Sequence, residues 1–155
     1  MSNKAVSRIA QQSRSDGSVS ILLIGLLGAA RAALRDILTA AQWDICEAAT
    51  LKQALGMLED RNVGVAICDA EIGEGVWQAV LSNLHDKATP ASLIVTSRLA
   101  DERLWAEVLN LGGYDVLVQP FDRGEVLRVA LMGWMAWRFK SQRPASGNLL
   151  LEAAS

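Results

Sequence analysis

Val63-Gly64-Val65-Ala66-Ile67-Cys68-Asp69 is an apolar run closed by a carboxylate. A run of this length and composition reads as a strand buried on both faces, the kind that parallel sheets carry. Asp69 then stands at the carboxyl end of the strand, and open α/β sheets gather their ligand chemistry in the crevice outside those ends. Working outward, residues 19–24, 43–48, 92–96 and 115–118 supply four more strand-like runs beside 63–68.

Between these runs the apolar period changes to that of a helix. Ala30, Ala33, Leu34, Ile37, Leu38 and Ala41 follow the i, i+3, i+4, i+7 rule, and Leu51, Ala54, Leu55 and Leu58 repeat it. Thr50 and Gln53 have capping-box spacing, as do Asp122 and Glu125 ahead of a last helix expected to run to about residue 140. Gly73 and Gly75 mark a loop before a less regular third helix over 76–84, and Pro90 closes the loop after it. Asp101 can cap a fourth helix with Leu104, Trp105, Val108 and Leu109 as its apolar stripe, and Gly112-Gly113 supply a left-handed stop. Strands alternating with helices predict a five-stranded parallel sheet covered on both faces, a three-layer, doubly wound α/β fold.

A chain of 155 residues suits one domain with one substantial core. The expected organisation is a flexible leader over 1–17, a folded domain over 18–140 and a flexible tail over 141–155, too short to carry an output domain. Net charge is −2 and the 15 basic residues are scattered, which argues against nucleic-acid binding. The longest apolar stretch, around residues 19–30, falls short of the roughly 20 residues of a helical membrane span. Without a secretory h-region in the leader, the expectation is a soluble, cytoplasmic protein with no membrane partner. Cys46 and Cys68 lie on different strands; if the first strand runs between them they stand ~10 Å apart, beyond disulfide reach. His85 stands alone, so no metal site emerges around it.

Three landmarks in order resemble the receiver domain of two-component response regulators, the CheY-like family, over about residues 19–140. Ile67-Cys68-Asp69 looks like the phosphoacceptor strand, and Ile94-Val95-Thr96-Ser97 like the strand ending in the switch hydroxyl. Gly113 through Phe121 looks like the fifth strand with its Lys-Pro-Phe ending, written here Gln119-Pro120-Phe121. The resemblance implies the flavodoxin-like strand order 2-1-3-4-5, Asp69 as candidate phosphoacceptor, and Thr96 and Gln119 as candidate phosphoryl contacts. It also implies departures. Gly25 and Leu26 occupy the acidic-pair positions, leaving Asp69 and the Glu71 backbone carbonyl as the most that could hold Mg²⁺, an ion bound through one or two carboxylates. Gln119 can donate a hydrogen bond but carries no charge, and phosphoryl transfer depends on neutralising the transferred oxygens. Mg²⁺ binding is therefore expected to be weak or absent, with no other cofactor and no enzymatic activity. Val116 stands where many receivers carry a mobile aromatic residue.

Two other patterns compete for the same residues. Gly25-Leu26-Leu27-Gly28 with Glu47 after it faintly resembles a dinucleotide site, although Leu27 takes the place of the glycine that lets backbone approach a pyrophosphate. The bland reading is a tight turn, with Leu26 and Leu27 partly filling the crevice. The last helix has too many apolar residues for one face, which makes Leu127, Leu131, Trp134 and Trp137, together with Trp105 and Val116, interface candidates. The resemblance adds a partner surface on the fourth helix, fifth strand and fifth helix, for a homodimer or for a histidine kinase, phosphotransfer or other signalling protein. The combined expectation is an atypical receiver acting through protein contacts. The alternatives are an Asp69 phosphoacceptor served by a cognate donor and, distantly, a nucleotide-binding domain.

Overall fold

The structure, a computed structural model, describes residues 19–141; the expected leader and the tail beyond Ser141 lie outside the described residues. Strands β1 (Ser20–Ile24), β2 (Asp44–Ala48), β3 (Val65–Asp69), β4 (Ser92–Ser97) and β5 (Asp115–Val118) alternate with helices. The helices are α1 (Gly28–Ala40), α2 (Leu51–Asp60), α3 (Val76–His85), α4 (Glu102–Asn110) and α5 (Arg123–Ser141). All pairings are parallel and the sheet order is β2-β1-β3-β4-β5, the order implied by the resemblance.

Strand side chains alternate between two cores because successive residues point to opposite faces. Leu22, Ile24, Ala66, Cys68, Leu93, Val95 and Val116 face α2, α3 and α4, where Ala54, Leu58, Trp77, Val80 and Val108 meet them. Ile21, Leu23, Val65, Ile67, Ile94 and Leu117 face α1 and α5, against Leu34, Leu38, Val126, Val129 and Ala130. β3 lies between β1 and β4, and Val65 through Cys68 have no exposed surface. Burial pushes the Cys68 thiol up to about 12 and raises Cys46 as well, and both cysteines are free. Cys46 is half-buried rather than buried, because β2 is an edge strand.

Local signals hold at most element ends. Asp101 Oδ1 accepts from Leu104 N at 2.9 Å and Asp122 Oδ2 from Glu125 N at 2.9 Å. Thr50 Oγ1 accepts from Gln53 N at 3.2 Å, but Gln53 Oε1 returns to Ala49 N at 2.9 Å, one residue earlier than a capping box places it. Gly112 takes φ +99, the left-handed stop expected after α4.

The interface candidates separate by exposure. Val116 is 1% exposed and packs with Val108, Trp134 is 8% and Trp137 9% exposed, and these three are corrected from surface to core. The physical reason lies at Gly64: a Cβ there would meet Trp134 Cδ1 at 2.7 Å and Trp137 Cε3 at 2.8 Å, so the missing side chain lets both indoles close over the start of β3. Arg138 lies over the Trp134 ring at 5.1 Å from its centroid, an arrangement in which the guanidinium is attracted to the ring face. Leu127 is half-buried, while Trp105 and Leu131 remain exposed, joined by Met132, Met135 and Phe139 on α5 and Val118 on the edge strand β5. No helix among the described residues is long and apolar enough to cross a membrane.

Candidate functional site

Asp69 ends β3 opposite Thr96 of β4, whose other neighbour is Leu117 of β5. That register brings Gln119, just past β5, over the same strand ends. Its backbone N–H donates to Ser97 O at 3.0 Å. Its Nε2 reaches Thr96 Oγ1 at 3.3 Å and Asp69 Oδ2 at 3.4 Å, two long bonds from one amide. Asp69 Oδ1 accepts a shorter bond from Glu71 N at 2.8 Å. Asp69, Thr96 and Gln119 thus come together, with Thr96 wholly buried and Gln119 9% exposed between it and solvent.

Burial raises the Asp69 carboxyl above its ordinary range. The Glu71 N–H and the Gln119 amide oppose that rise, and the nearby Glu71 carboxylate adds to it. Glu71, an exposed loop residue, is nonetheless anchored: Oε1 accepts from Ser97 Oγ at 2.8 Å and from Arg98 N at 3.3 Å, while Leu99 N donates to Ser97 Oγ at 3.0 Å. This clasp joins the β3–α3 loop to the end of β4.

Gly25 and Leu26, expected at the acidic-pair positions, have different surroundings. Gly25 takes φ +71, and a Cβ built there would meet Ile72 Cγ1 at 2.7 Å and Ile72 Cβ at 2.8 Å. Leu26 does not fill the crevice but turns into the core beside α1 and α5, at 6% exposure; Leu27 borders the cleft with most of its surface exposed. Ile72 is therefore the residue that takes the space beside Gly25. Sequence reading missed it, and also missed Arg98 and the role of Ser97. The glycine was a visible signal, but the volume complementary to it lay 47 positions away in a loop of unknown path. Glu47, the acidic residue of the dinucleotide pattern, is paired with Arg31 at 2.9 Å and Arg35 at 3.4 Å, which counts against that reading.

Above these residues opens a cleft of about 690 Å³, bordered by the start of α1, the β3–α3 loop, Arg98 and the Gln119-Pro120-Phe121 turn. It lies where open α/β sheets bind their ligands.

The response regulator receiver domain family matches residues 27–131, and the chain belongs to it. Solved structures agree on the fold. A CheY-like receiver domain protein from Methanospirillum hungatei JF-1 has a TM-score of 0.68 at 15% identity, covering 80% of this chain and 99% of its own. The signal receiver domain of an HD domain-containing protein from Pseudomonas fluorescens Pf-5 has a TM-score of 0.68 at 23% identity, covering 78% and 98%. A two-component response regulator from Clostridium difficile has a TM-score of 0.63 at 17% identity, covering 77% and 97%. No curated protein matches the chain.

The Mg²⁺ ion that the resemblance implies does not fit the residues present. Gly25 and Leu26 offer it no oxygen side chain, Ile72 packs against Gly25, and the Glu71 carboxylate is engaged by Ser97 and Arg98. Among the described residues no group of three or more His, Cys, Asp or Glu side chains is placed to hold a metal ion.

Two outcomes test this geometry. Gly25→Ala is expected to cost about 2–3 kcal/mol, combining left-handed strain with overpacking. In an Ile72→Gly background, which removes the Cβ along with the rest of that side chain, the same change should cost only about 1 kcal/mol. Urea denaturation of the four proteins measures the coupling, and simple additivity would show that Gly25 and Ile72 do not share the space. For Asp69, a carboxyl raised in the folded state adds stability below the ordinary value of 3.8 that is lost as pH rises through the folded pKa. Asp69→Asn should accordingly be the more stable protein at neutral pH, with its advantage shrinking towards about pH 3. A variant less stable at neutral pH would contradict this assignment.

Proposed function

We propose that this receiver domain acts in two-component, phosphorelay signalling as a protein-binding module, its conformation set by partner or dimer contacts, with weak or no Mg²⁺-dependent phosphorylation. The observation that carries the reading is the Gly25–Ile72 contact, which puts hydrocarbon where a metal-dependent receiver needs oxygen ligands. The uncharged Gln119 supports it, since an amide cannot neutralise a transferred phosphoryl group. The reading includes no enzymatic activity of its own.

The surface formed by α4, β5 and α5 suits such a role. Trp105, Val118, Leu131, Met132, Met135 and Phe139 all keep substantial exposed area on these three elements. Aromatic and Met side chains in this setting mark contact surfaces. The partners this reading names are a second copy of the chain and a histidine kinase, phosphotransfer or other signalling protein.

A second reading is favoured by one observation: Asp69 borders an open cleft and its Oδ2 takes a long bond from Gln119. In that reading Asp69 accepts phosphate from a donor protein whose own groups supply the missing charge.

Intact-mass spectrometry after incubation with a small phosphodonor, with and without Mg²⁺ and beside Asp69→Asn, tests the first reading. The expected result is no gain in mass in any sample. A Mg²⁺-dependent gain of one phosphoryl group, absent from Asp69→Asn, would overturn it; a gain only with a donor protein would favour the second. For the homodimer, sedimentation equilibrium should show self-association weakened at least tenfold by Met135→Glu. A wild-type protein monomeric at high concentration would remove the dimer from the proposal.

A further inference from the structure

The cleft has a chemistry of its own that phosphoryl transfer does not use. Its volume of about 690 Å³ is within the range of small-molecule sites. One wall is hydrocarbon, from Ala30 and Ala33 of α1 to Ile72 and Phe121. The floor presents acceptors. Asp69 Oδ2 takes a long bond from Gln119, and no donor among the described residues reaches Gln119 Oε1, although that side chain is nine-tenths buried. The rim presents donors. Leu27 precedes α1 without a side-chain cap, Gly28 and Ala29 at the start of that helix line the cleft, and Arg98 borders it with its guanidinium outside any ion pair among the described residues. Uncapped N–H groups and the positive end of the helix favour an anionic group.

Acceptors below, donors at the rim and an apolar wall beside them call for a ligand whose amine and carboxylate sit together at the head of an apolar body. We propose that the cleft binds a small zwitterion with an apolar body, an amino acid or a close derivative, whose amine bonds Asp69 and Gln119 Oε1 while its carboxylate meets the start of α1 and Arg98. An amine alone would face the positive rim without compensation, and a carboxylate alone would be pressed against Asp69. This assignment rests on the reading that Asp69 carries no metal-dependent phosphoryl chemistry, and it assigns a sensory input to a domain otherwise read as a binding module.

Amide chemical shifts of the full chain, recorded without Mg²⁺ during titration with three probes, test it. Phenylalanine carries both ends, phenethylamine only the amine and 3-phenylpropionate only the carboxylate. Phenylalanine is expected to bind at least about tenfold tighter than either single-ended probe, with shifts confined to the start of α1, Asp69, Ile72 and Gln119. Asp69→Asn should weaken phenylalanine at least about tenfold, and Ala33→Phe, at an exposed α1 position lining the cleft, should block it while leaving the remaining spectrum unchanged. No localised shift with phenylalanine at millimolar concentration, equal affinity for the three probes, or unchanged binding in both variants would overturn the proposal. The phosphodonor experiment has a separate readout, so phosphorylation and ligand binding can fail independently.

Discussion

β3 is covered on both faces and hydrogen-bonded on both sides, and its side chains from Val65 to Cys68 are wholly withdrawn from water. A carboxylate cannot follow them into that interior without a large desolvation cost. The chain therefore leaves the sheet at Asp69, which remains partly solvated, takes the N–H of Glu71 and faces the amide of Gln119. The rest of the arrangement follows from that strand. Its neighbours set Thr96 beside Asp69, the β4–β5 register brings Gln119 over both, and the loop after Asp69 is drawn to Ser97 and Arg98 through Glu71.

At the end of β1 a different balance holds. Gly25 adopts a backbone conformation that L side chains rarely take, and the space its Cβ would occupy belongs to Ile72. Apolar packing there lines this part of the cleft with hydrocarbon. Dispersion and burial stabilise Ile72 in this position, and a side chain added at Gly25 would have to displace it. The receiver fold is kept, and at the mouth of its sheet one loop side chain meets one glycine.

Helix α5 shows how far periodicity could be read. Its apolar residues outnumber what one face can hold, which was visible in the chain, but which of them turn inward was not. Trp134 and Trp137 pack over Gly64, at the opposite end of β3 from Asp69, and are buried. Met132, Met135 and Phe139 are left on the outer side. A helix nearly apolar all round has no sharp moment to orient it, so the direction is decided by where the sheet leaves room, here at a glycine far away in the chain.

What the sequence determined by itself is what rests on local chemistry. Strand and helix order, the caps at Asp101 and Asp122, the left-handed stop at Gly112 and the strand-end position of Asp69 depend on residue type and short-range spacing, and all are found in the structure. Gly25, Leu26 and the uncharged Gln119 were legible in the same way, at positions to which the resemblance attaches an expectation. Tertiary structure alone decided the Gly25–Ile72 contact, the Glu71–Ser97 clasp, the burial of Thr96 behind Gln119 and the inward turn of the two tryptophans. Each of these joins residues far apart along the chain, and their meeting depends on loop paths and complementary volumes that residue type and periodicity do not encode.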